Sequence, residues 1–109
     1  MKIENLTIKE ARKLLDSKGV SVKELADACL KNVESKNKEL NIFLEVYDDV
    51  SSQIEVSQGK IDSGKSDMLT GIPIAIKDNI LIKGKIASAA SKMLENYRAT
   101  YTATAAQKI

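Results

Sequence analysis

The apolar run Ile72-Pro73-Ile74-Ala75-Ile76 constrains this 109-residue chain more than any other feature. Thr70-Gly71 lead into it and Lys77-Asp78-Asn79 end it abruptly. A β-branched run without polar alternation predicts a strand buried on both faces, the condition of a central strand in an α/β sheet. Pro73 has no N–H to give a ladder, so it belongs at the strand's first position or at a bulge. Such a strand needs neighbouring strands and covering helices, and 109 residues hold one small domain at most.

Two of the covering helices carry their own start signals. In Thr7-Ile8-Lys9-Glu10 and in Ser21-Val22-Lys23-Glu24 a hydroxyl residue precedes a glutamate by three positions, so each side chain can satisfy the other's free backbone N–H. The spacing predicts one helix from about Ile8 to Ser17, stopped at Gly19, with Ile8, Ala11, Leu14 and Leu15 on one face. It predicts a second from about Val22 to Lys36, with Val22, Leu25, Ala26, Cys29, Leu30 and Val33 in one stripe.

From Leu40 to Tyr47, Ile42, Leu44 and Val46 alternate with Phe43, Glu45 and Tyr47, which predicts a short strand. Asp48 and Asp49 can cap a third helix running to about Ile61, whose sparse apolar positions Val50, Ile54 and Ile61 describe an outer helix. Ser63 to Asp67 reads as an exposed loop. After the central run comes a second apolar patch, Ile80-Leu81-Ile82, and a turn at Lys83-Gly84-Lys85. The small residues Ala87-Ser88-Ala89-Ala90-Ser91 permit close backbone approach, and Thr104 to Ile109 reads as the first turns of another helix. No internal repeat is present.

Composition removes several chemistries. Histidine is absent, which excludes a Ser-His-Asp triad, a Cys-His dyad and a histidine-ligated metal within these residues, so acid-base work falls to Lys, Asp, Glu or Tyr. The single cysteine, Cys29, cannot form an intrachain disulfide and lies on the apolar stripe of helix two, where it reads as core. Seventeen basic against fifteen acidic residues leave a net charge of +2, too small and too evenly spread to mark a nucleic-acid or membrane footprint. No run of about eighteen apolar residues exists to cross a bilayer, and the amino terminus does not resemble a secretory signal, so a reducing cytoplasm is expected.

Lys77 is the foremost candidate for chemistry. Open α/β sheets place functional groups at the carboxyl ends of their strands, and desolvation there lowers a lysine's pKa until the neutral amine can act as a base. Position alone favours the plainer reading, a strand ending in solvated Lys-Asp-Asn. Asp78 and Asn79 can hold the lysine or shape the turn, Ser88 and Ser91 are small loop residues, and Lys83 and Lys85 fit a solvated turn.

The stretch Leu69 to Ile80 resembles the surroundings of the catalytic lysine in the amidase signature family, and the string Gly-Ile-Pro-Ile-Ala-Ile-Lys-Asp-Asn is specific to that family. Lys83-Gly84, Ala90 to Tyr97 and Ala103-Thr104 resemble the segment that follows in one branch, the glutamine-hydrolysing subunits of glutamyl-tRNA(Gln) amidotransferases. The amino-terminal helices and Asn41 to Tyr47 resemble the start of the same subunits, so the similarity covers essentially the whole chain. Thr102 stands where the family more often has an acidic residue, and no role is carried onto it.

The resemblance implies an α/β fold in which amino-terminal helices precede the first strands of an amidase-type mixed sheet covered by helices, incomplete in this chain. Residues 1–109 would be the amino-terminal fragment of a single amidase domain, with a helical hairpin at 1–38 and a strand-helix-strand portion at 39–109 carrying the lysine motif. It also implies a Ser–Ser–Lys triad of which Lys77 alone has a counterpart here; both serines would lie in a Gly-Ser-rich region beyond Ile109. Ser88 and Ser91 resemble residues near the family's substrate pocket. Glutamine would be hydrolysed, and the ammonia would pass to a partner subunit that uses ATP and Mg to amidate Glu-tRNA(Gln), in a complex with subunits B and C. Neither cofactor nor metal is expected on this chain. Two alternatives stay open: another amidase acting on a small amide, and a freestanding α/β interaction module without chemistry.

Overall fold

A computed structural model describes residues 2–109. Both capping boxes form. Thr7 N–H donates to Glu10 Oε2 at 2.9 Å while Glu10 N–H donates to Thr7 Oγ1 at 3.2 Å, and Ser21 and Glu24 repeat the exchange at 2.8 and 3.2 Å. They start α1 (Ile8–Asp16) and α2 (Val22–Leu40).

The helix ends differ from expectation in an instructive way. Lys18, rather than Gly19, takes the left-handed conformation (φ 59°), so that Lys18 N–H reaches Leu15 O at 3.1 Å and Gly19 N–H reaches Leu14 O at 2.9 Å, closing α1 in a Schellman arrangement. Helix α2 continues past Lys36 to Leu40, where the left-handed Asn41 (φ 49°) ends it.

The extension of α2 consumes the first residue of the expected strand at Leu40 to Tyr47, and no strand is assigned to the residues that follow. Strands need a neighbouring strand, and here the side chain of Asn37 stands in for one at Phe43: Phe43 N–H donates to Asn37 Oδ1 at 2.8 Å and Asn37 Nδ2 donates to Phe43 O at 2.9 Å. The apolar alternation is left facing water, with Ile42, Leu44 and Val46 exposed by 64, 65 and 50%.

Helix α3 (Val50–Asp62) follows as expected, except that Asp49 stands at its N-cap without a capping side-chain bond. Gly64 (φ 71°) and Lys65 close its end by donating to Ile61 O and Lys60 O at 3.1 and 2.8 Å. Helices α2 and α3 support each other, since Gln58 Oε1 accepts the Val22 N–H at 3.0 Å, one of the donors a helix start leaves unpaired.

Ala11, Leu15, Val22, Leu25 and Ile61 form a buried core, against which Ile3, Leu6, Val20, Ile54 and Ile72 pack. The stripe of α2 is buried at Val22, Leu25 and Ala26 and only partly covered at Cys29, Leu30 and Val33, so Cys29 is not the core residue its spacing predicts. Arg12 is buried beside this core and ties down the 67–70 turn: Nη1 donates to Thr70 O at 2.6 Å and to Asp67 O at 3.2 Å, and Nη2 pairs with Asp16 Oδ1 at 2.8 Å.

The central apolar run is not a strand. Among the described residues the one bridge outside regular strands joins Ile86 and Arg98, antiparallel, and no helix-covered sheet forms. The run instead straddles a boundary between two compact units, the first ending at Pro73 and the second spanning Ile74–Ile109. Ile72 enters the helical core of the first, whereas Ile74 is 45% exposed. The physical reason is the one that applies at 42–46: an extended segment becomes a buried strand only when other segments flank it, and none here does.

The second unit is built mostly of turns. Gly84 and Ala99 exchange bonds with Ala99 and Lys85 (Gly84 N–H to Ala99 O and Ala99 N–H to Lys85 O, both 2.9 Å), and Ala87 N–H reaches Tyr97 O at 3.0 Å. A 3₁₀ turn at Lys92–Leu94 and the short helix α4 (Thr104–Gln107) follow, the latter where a helix start is expected. Ala87, Ser88 and Ala99 are its buried residues.

Candidate active site

Lys77 opens a turn in which Ile80 N–H donates to Lys77 O at 2.9 Å. Its side chain is exposed, so within these residues it lacks the desolvation expected of a buried strand end. Asn79 is exposed in the same turn.

Asp78 makes its side-chain bonds neither to the lysine nor within the local turn. Its carboxylate grips a loop ten residues on. Ser88 Oγ donates to Asp78 Oδ2, Ala90 N–H donates to the same oxygen at 3.1 Å, and Ser88 N–H donates to Oδ1 at 3.2 Å. The backbone joins in, with Ala89 N–H donating to Asp78 O at 3.0 Å. This is the close backbone approach that the small residues at 87–91 permit.

The loop so held is strained. Ala89 and Ala90 both take left-handed conformations (φ 48° and 56°), each of which costs about 1–2 kcal/mol for a residue with a β-carbon. Left-handed backbone turns N–H groups inward as an anion-binding concavity, and the anion here is the protein's own carboxylate. The Ser88 hydroxyl, then the Ala90 and Ser88 amides, hold the Asp78 carboxyl below its ordinary pKa against the opposing effect of burial.

That electrostatic arrangement limits what Ser88 can do. A carboxylate of lowered basicity, already accepting three donors, is a poor proton acceptor, so Ser88 and Asp78 do not form a nucleophile–base pair. Ser91 sits at the N-cap of the 3₁₀ turn, where its Oγ accepts from Met93 N–H at 3.3 Å. The structure thus brings Asp78, Ser88 and the 89–90 backbone together beside Lys77 in the chain. Spacing alone misses the Asp78–Ser88 bond because it spans ten residues; the one signal for it is the run of small residues after the Lys83-Gly84-Lys85 turn.

Elsewhere, a shallow groove of about 630 Å³ lined by Leu30, Val33, Glu34, Asn37, Lys38, Asn41 and Val46 holds none of these groups. Among the described residues no cluster of His, Cys, Asp or Glu side chains could hold a metal ion, and no helix is long and apolar enough to cross a membrane.

Comparison with known proteins gives a consistent answer. The sequence profile of the amidase family matches residues 24–109. The A subunit of the glutamyl-tRNA(Gln) amidotransferase from Ruminiclostridium cellulolyticum is 46% identical over 110 residues, covering 100% of this chain and 23% of the relative. Proteins of the same name from Brachyspira hyodysenteriae and Streptococcus pneumoniae are 36% and 42% identical over 113 and 108 residues, covering 100% and 96% of this chain and 23% and 22% of theirs. The chain therefore spans less than a quarter of the length of these curated relatives.

Proposed function

The chain belongs to the amidase family, and we propose that it is the amino-terminal part of the glutamine-hydrolysing subunit of a glutamyl-tRNA(Gln) amidotransferase. The observation that carries this is similarity along the whole chain to the A subunits of such amidotransferases, with the lysine motif at residues 71–79 inside it.

On this reading Lys77 is the final proton acceptor of a Ser–Ser–Lys triad whose two serines lie outside these residues, on an amidase-type mixed sheet that further chain completes. Attack of the nucleophilic serine on the side-chain amide of glutamine sends its proton through the bridging serine to Lys77 Nζ. The proton returns to the leaving nitrogen, ammonia departs, and water cleaves the remaining glutamyl ester to glutamate. Lys77 must be uncharged to begin, which requires further chain to cover and desolvate it. Ser88 and Ser91 border the substrate pocket, Ser88 through its backbone because its hydroxyl is engaged, Ser91 through a hydroxyl that still has a proton to give. Ammonia then passes to a partner subunit that uses ATP and Mg to turn Glu-tRNA(Gln) into Gln-tRNA(Gln), with subunits B and C as companions in the cytoplasm. The 109 residues alone, lacking the serines, would be inactive.

In the full-length enzyme Lys77→Ala should lower kcat for glutamine hydrolysis by about 10²–10⁴-fold with an unchanged unfolding midpoint. Near-parental activity would remove Lys77 from the mechanism. A preference for small amides over glutamine would move the protein to another branch of the family.

A further inference from the structure

The residue that follows Lys77 is held with more bonds than a turn requires. Asp78 is fixed by Ser88 Oγ and by the Ser88 and Ala90 amides at its carboxylate, and by the Ala89 amide at its backbone oxygen. The loop that supplies those donors is itself in a conformation two alanines adopt only under constraint.

We propose that Asp78 is a positioning residue for the amidase chemistry: its carboxylate clamps the strained 88–90 loop and thereby fixes the backbone from which Lys77 extends. The inference rests on the reading of Lys77 as proton acceptor. It assigns Asp78 no contact with substrate. Proton relay through a serine demands that the amine be held within hydrogen-bond reach of one oxygen, and a displacement of about 1 Å there can cost 10²-fold in rate. Neither Ser88 nor the left-handed alanines would keep their places without a negative acceptor opposite them, since three inward-facing donors would then be left facing one another.

The test uses the full-length enzyme with glutamine as substrate. Asp78→Asn forces an amide N–H against one of the three donors, and should lower kcat by about 10–100-fold while KM changes less than about threefold. Ser88→Ala, which removes one donor and leaves the carboxylate paired with the two amides, should lower kcat by less. The decisive variant adds Ala89→Gly and Ala90→Gly to Asp78→Asn. Glycine adopts the left-handed conformation without the β-carbon penalty, so the loop needs less from the carboxylate to reach its shape and kcat should recover about fivefold. A merely structural role would raise KM and lower the unfolding midpoint together, and a direct chemical role would not be rescued by glycines; either result overturns the proposal, as does a parental kcat in Asp78→Asn. Lys77→Ala, run alongside, separates the two failures: activity in that variant refutes the role of Lys77 itself.

Discussion

At residue scale the sharpest contrast lies between two glycines. Gly64 and Gly71 have nearly the same backbone, φ 71° and 80°, but a β-carbon at Gly64 would meet nothing within 4 Å whereas one at Gly71 would lie 2.7 Å from Val22 Cγ2 and 3.4 Å from Ile61 Cδ1. Gly64→Ala should therefore cost only the backbone penalty of about 1–2 kcal/mol, and Gly71→Ala about 2–5 kcal/mol because overpacking of the core adds to it. Urea unfolding of both variants measures the difference, and equal losses would mean that the close approach at Val22 is not felt. Asp78 offers a pH test. Its folded pKa lies below the unfolded value of about 3.9, so its bonds stabilise the 88–90 loop fully above that pH and lose their effect as pH falls through the lower, folded value. The amide signals of Ser88 and Ala90 should titrate together with a midpoint below about 3.9; a midpoint at or above it would show the carboxylate unengaged.

At the scale of elements, what a chain writes locally is what this one reveals. The starts of α1 and α2 follow from residues three apart, and both helices begin where Thr7 and Ser21 place them. Their ends are harder to foresee, because Lys18 and Asn41 accept left-handed backbone that spacing assigns to glycine or to no residue at all. The strands expected at 40–47 and 72–76 are missing for a different reason: apolar patterning records a preference to be covered, but a ladder is a property of two segments. In the 109-residue chain the amides of Leu44, Glu45, Val46, Ile74, Ala75 and Ile76 should exchange at close to free-peptide rates while those of the middle of α2 are protected. Protection at Ile74 to Ile76 would show that the run had found partners.

For the whole molecule, the α/β class is legible through family membership rather than from the pattern of elements, which is largely helical. The candidate site divides the same way. Lys77 is visible as a lysine closing an apolar run, whereas the grip of Asp78 on Ser88 and Ala90 depends on a turn between them that no periodicity encodes. Among the described bonds the farthest reach belongs to Arg12, which joins residues 55 and 58 positions away at Asp67 and Thr70. The consequence is temporal. Capping boxes close over a few residues and helices propagate in well under a millisecond, but bringing Arg12 to the 67–70 turn requires a long loop to shut first. The guanidinium is therefore expected to act as a latch that engages late: in stopped-flow refolding Arg12→Met should leave the early helical circular dichroism signal unchanged yet slow closure of the first unit, and an unchanged slow phase would refute this order.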